Sequence, residues 1–109
     1  MNRGINRVAI SGEVAGRFSF SETTNSSAAA SFYVLCERHT HDSVVRVRVK
    51  INAYGGGLVT VLRVKLVLGA YVLVDGELMN RKGQQEELIE VRATQIIFPL
   101  EGRNATRTL

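Results

Sequence analysis

The sequence has no tryptophan, a single cysteine, a single proline and only two histidines. One cysteine, Cys36, forms no internal disulfide, and its neighbours Phe32, Val34 and Leu35 place it in a strand as a small hydrophobe suited to a reducing cytoplasm. His39 and His41 share a polar turn, but a zinc-type site there would want further ligands that the sequence does not bring to it. No metal and no cofactor are expected. No apolar run reaches membrane-spanning length: the longest, Leu58 to Leu68, is broken by Arg63 and Lys65, and Met1 to Ile10 has no signal-peptide core. Catalytic patterns are also missing. Ser11 or Ser31 with His39 or His41 is no spaced triad, Gly55 to Gly57 lack the lysine of a phosphate loop, and Glu86, Glu87 and Glu90 read as the solvated face of a hairpin. An enzyme is not expected.

What is present is ordinary globular material: 109 residues, 45% apolar and 22% charged, enough for one core and one domain. The net charge is +4, and 11 of the 14 basic residues are arginines, the better side chain for phosphates and base faces. A polyanionic partner is favoured, with a merely solvated basic surface as the alternative.

Residues 5–14 alternate partly and contain Gly12, which predicts a first strand bent near that glycine. The stretch 15–28 is rich in Ser, Thr and Ala and reads as a loop holding Arg17, Phe18 and Phe20. Residues 29–38 and 44–54 form the second and third strands. The period of two sets Arg46, Arg48 and Lys50 on one face of the third. In 58–68, Leu58, Val61, Leu62 and Leu66 fall on one helical face, although β-branched Val59, Val64 and Val67 lie outside it and would also suit a strand. The order of elements favours the helix, with Gly69 ending it. Residues 71–79 and 87–98 make the last two strands around a turn at Gly83. The core domain is expected over 1–100, with 101–109 a loose polar tail.

Three strands, a short helix and a hairpin make an all-β chain with the element order of the five-stranded OB-fold barrel. The residues add to this. The segments 2–14 (NRGINRVAISGEV), 69–81 (GAYVLVDGELMNR) and 89–100 (IEVRATQIIFPL) resemble the first, fourth and fifth strands of bacterial single-stranded DNA-binding proteins. The resemblance implies this fold, homotetramers that wrap single strands, no cofactor, and protection of exposed DNA in replication, repair or recombination, at the nucleoid in the cytoplasm.

Such binding needs cations for phosphates and flat side chains for bases. Arg17, Arg46, Arg48, Lys50, Arg81 and Lys82 are the candidate cations, and Phe18, Phe20, Tyr33, Tyr54 and Tyr71 the candidate platforms. Phe32 and Phe98 are assigned to the core. Tyr54 matches the stacking phenylalanine at the end of the family's third strand. Three departures stand against the pattern. Arg48 occupies the place of a family tryptophan, the loop at 82–86 is short, and the sequence stops at Arg107, Thr108 and Leu109 without the family's acidic, phenylalanine-tipped tail, either by truncation or as in a specialised relative that does without it. An arginine plane can still stack on a base, with lower affinity per base expected. A dimeric primosome-type module that binds a replication protein, and a cold-shock-like RNA binder, remain alternatives. The apolar excess in 58–74 exceeds what one small barrel hides, so part of it is expected to meet another copy.

Overall fold

A computed structural model describes residues 3–21, 28–81 and 88–99. Five strands and one helix follow in the order β1 (Val8–Ser21), β2 (Ala29–His39), β3 (Val44–Tyr54), α1 (Gly56–Lys65), β4 (Tyr71–Asn80) and β5 (Ile89–Ile97). The sheet closes on itself as β1-β2-β3-β5-β4. All neighbours are antiparallel except β3 and β5, which meet in parallel at Ile51–Val91 and Asn52–Arg92.

Alternation explains what faces inward. Val14, Phe32, Val34, Ile51, Val72, Val74 and Val91 fill the barrel, each at most 2% exposed. β1 serves both halves. Its first part pairs with β4 and its second with β2, and Glu13 is opposite both Tyr71 and Leu35. The strands approach closely at two glycines: a Cβ added to Gly12 of β1 would strike the Leu35 carbonyl, and one on Gly76 of β4 the Arg92 carbonyl. At those two points a side chain on the inner face would wedge the ladder apart.

The first strand is longer than its composition predicts. The stretch read as a loop from residue 15 is strand as far as Ser21, with Ser19, Phe20 and Ser21 opposite Ser31, Ala30 and Ala29 after a register shift that begins at Ala15. Pairing with β2 supplies hydrogen bonds that outweigh the weak strand preference of Ser and Gly. At the other end the strand begins at Val8, later than Ile5.

α1 lies over one mouth of the barrel. Gly55, at φ 104°, makes the entry in a conformation that favours glycine. Val59, Leu62 and Leu66 are the buried positions, whereas Val61 is 44% exposed. The apolar stripe is thus rotated from the expected one, pivoting on Leu62 and Leu66, because burial follows how the helix sits on the mouth rather than its richest face. The helix ends at Lys65, and Leu66 is already extended. Gly69, at φ 86°, turns the chain into β4. No helix among the described residues is long and apolar enough to cross a membrane. The tail after Pro99 lies outside the described residues.

Candidate nucleic-acid interface

Because Phe32, Val34 and Ile51 point inward, their neighbours in sequence point out, and the strand registers arrange them in rows across the barrel. One row runs Tyr71, Glu13, Leu35, Arg48; the next Ala15, Tyr33, Lys50. A third runs Ser19, Ser31, Asn52, Arg92, Glu77, and a fourth Ser21, Ala29, Tyr54. Arg46, Arg48, Lys50 and Tyr54 therefore line the outward face of β3, with Asn52 on the same side but buried, 9% exposed. From Arg46 to Tyr54 this track is about 26 Å long at the usual rise per strand residue.

The Arg48 guanidinium carbon sits 4.0 Å from the Tyr33 ring centroid, and its Nη2 donates to the Gly16 carbonyl at 2.6 Å. The cation on the ring face and the hydrogen bond to β1 hold both side chains in place, so that the exposed guanidinium presents a charged plane outward over the partly buried ring. Arg17 and Phe18 flank Gly16 in the irregular segment of β1 and are both exposed. Tyr54 is 46% exposed, with the Arg92 guanidinium carbon 5.8 Å from its centroid. Between the two tyrosines the serines and alanines of β1 and β2 leave a hollow of about 110 Å³, lined by Ser19, Ser21, Ala29, Ser31, Asn52 and Tyr54.

Other candidates lie apart from this surface. Phe20 pairs with Ala30, faces the barrel interior, and has the Arg63 guanidinium carbon 4.7 Å from its ring centroid. Tyr71 faces out but three strands from Arg48, about 14 Å around the sheet, with its hydroxyl bonded to Ser11 Oγ at 3.0 Å. Arg46, by contrast, is on the track, where its Nε donates to Glu37 Oε2 at 2.7 Å. Lys82 lies outside the described residues. Phe32 is fully buried and Phe98 packs against the core, as alternation predicts.

Glu90 departs from the solvated role its hairpin position suggests. Its side chain is 6% exposed beneath Arg81 and Lys50. Arg81 Nε donates to Oε2 at 2.6 Å, Asn52 Nδ2 donates to Oε1 at 2.7 Å, and Lys50 Nζ stands 3.9 Å from Oε2. Burial pushes its pKa up. The hydrogen bonds from Arg81 and Asn52 and the charges of Lys50 and Arg81 outweigh this and hold the carboxyl below its ordinary value. Sequence reasoning missed Glu90, Asn52 and Arg92. The period of two that aligns Arg46 to Lys50 continues to Asn52, a usable signal; Glu90 and Arg92 join through the β3–β5 seam, which no local pattern announces.

These features define a closed five-stranded OB barrel with a cationic, aromatic face on β2 and β3. No family model matches the chain, and no curated protein does. Among solved structures it is similar to a small single-stranded DNA-binding protein from Streptomyces coelicolor, at 20% identity and a TM-score of 0.66 over 88% of this chain and 94% of that one. It is also similar to an SSB complex with single-stranded DNA from Plasmodium falciparum, at 18% identity and a TM-score of 0.77 over 90% and 97%. At these identities the likeness establishes the fold, an OB barrel.

Proposed function

We propose that the outward face of β1, β2 and β3 binds single-stranded DNA without sequence preference, bases stacking on the Arg48–Tyr33 pair and on Tyr54, and phosphates meeting Arg17, Arg46, Arg48 and Lys50. The observation that carries this reading is the Arg48–Tyr33 stack, in which an exposed planar cation is held over an aromatic ring. The track's length suits the roughly 4–16 nucleotides covered by an OB-fold. Both similar structures are of proteins named for single-stranded DNA binding.

The protein acts as a binder and not as an enzyme, protecting exposed strands in replication, repair or recombination in the cytoplasm, at the nucleoid. It needs no metal or cofactor for this, since stacking and charge suffice. Homotetramers are the assembly this reading takes, supported by apolar side chains left in solvent around α1, with Val64 at 76%, Val67 at 59% and Leu68 at 62% exposure.

Titration of a fluorescent dT oligomer at two salt concentrations, with duplex and matched RNA as competitors and the mass in solution recorded, tests the reading. Tight binding that falls steeply with salt and resists duplex supports it. A dimer that binds dT weakly selects instead a module whose chief partner is a replication protein. One observation favours that second reading: Arg46, Lys50 and Arg81 already face carboxylates of the protein itself.

A further inference from the structure

Glu90 is a buried anion set directly under the proposed track, and its partners differ in how firmly they are held. Arg81 makes a short hydrogen bond to Oε2, whereas Lys50 stands 3.9 Å from the same oxygen, beyond hydrogen-bonding reach and 28% exposed. Asn52 occupies Oε1. The three charged groups carry one net positive charge between them. On the outer surface Lys50 lies in the row of Tyr33, beside the row of Arg48, so a phosphate following the stack would compete with Glu90 for the same ammonium group.

The geometry points to Glu90 as a residue that restrains Lys50 at the nucleic-acid track and so sets how strongly, and with what salt dependence, a single strand binds. This rests on the proposed function. Arg81 and Asn52 anchor the carboxylate, so it does not swing out of the way when a strand arrives. Lys50 is the mobile member. On binding it crosses to the phosphate, giving up its attraction to Glu90, which Arg81 and Asn52 go on holding. Glu90 thereby lowers the grip on each strand.

The test compares unaltered protein with Glu90→Gln, Lys50→Gln and the double variant by dT titration across a salt series. Gln keeps the volume and an oxygen for Asn52 while removing the charge. Glu90→Gln is expected to tighten binding roughly five- to tenfold at low salt and steepen the salt slope by ~0.7, the increment for one more phosphate contact on a single strand. Lys50→Gln alone should weaken dT binding, by less than the gain from Glu90→Gln, and should abolish that gain in the double variant. Unchanged affinity and slope in folded Glu90→Gln would overturn the proposal and leave Glu90 as a fastener of the β3–β5 seam. Failure of the unaltered protein to bind dT would instead sink the proposed function, so the two failures are distinct.

Should Glu90→Gln not fold, unaltered protein bearing 13C-methylated lysines decides the matter. Its lysines are Lys50, Lys65 and Lys82. Saturating dT should shift the Lys50 methyl resonance more than that of Lys65, and an unmoved Lys50 would refute the proposal.

Discussion

Arg48 is fixed between Tyr33 and Gly16, its guanidinium 4.0 Å from the ring centroid and its Nη2 2.6 Å from the carbonyl oxygen. One side chain thus joins the second strand, the irregular part of the first, and a charge at the surface. Its planarity and its charge can be separated by substitution. Arg48→Lys should keep the salt slope of dT binding yet lose part of the ~1–3 kcal/mol that a stacking platform gives per base. Arg48→Ala should lose both, with a slope shallower by ~0.7. Isothermal titration at several salt concentrations reads both quantities.

Tyr54 stands at the far end of the track and is nearly half exposed, so its removal should spare the fold. Tyr54→Ala is expected to weaken dT binding by about 1–3 kcal/mol with a urea midpoint close to that of the unaltered protein. Equal affinity for the two proteins would move the track away from β3.

Glu90 gives stability a pH dependence. Its folded pKa is lowered, so its contribution is complete above the unfolded value, near the ordinary 4.5, and is lost as pH falls through the folded pKa. Glu90→Gln should therefore be less stable than the unaltered protein at pH 7, the gap narrowing in the acid range below that value. Urea unfolding at a series of pH values measures it, and a constant gap would contradict the assignment.

Close strand approach at Gly12 and Gly76 leaves no room for a Cβ against backbone carbonyls. Gly76→Ala should cost about 1–3 kcal/mol of stability, by the general cost of overpacking. A urea midpoint equal to that of the unaltered protein would mean that the β4–β5 ladder can splay.

Val64 and Leu68 are exposed in the single chain. If they meet another copy, Val64→Asp with Leu68→Asp should lower the mass found by light scattering while circular dichroism stays the same. An unchanged mass would place the assembly contact elsewhere.

Much of the barrel was legible because alternation is local: Phe32, Val34, Ile51, Val72 and Val74 all point where the period of two sends them. The outward row of Arg46, Arg48 and Lys50 was legible for the same reason. Ser19 to Ser21 were misread because their strand state comes from partners ten or so residues away rather than from their own preferences. The rotated stripe of α1 and the burial of Glu90 depend on packing between elements, which no single-element period encodes. The tail and the turn at 82–86 lie outside the described residues.

Glu13, opposite both Leu35 and Tyr71, also bears on the order of folding. The partners of its strand lie some twenty and some sixty residues away, and loop closure over the longer span is slow compared with local hairpins. During synthesis β1, β2 and β3 can form a meander long before β4 leaves the ribosome. Until then one side of β1 has unpaired backbone groups and Phe32 and Val34 lack their cover, a template for association with other nascent chains. The barrel becomes a sealed unit only when nearly all of its chain has been made.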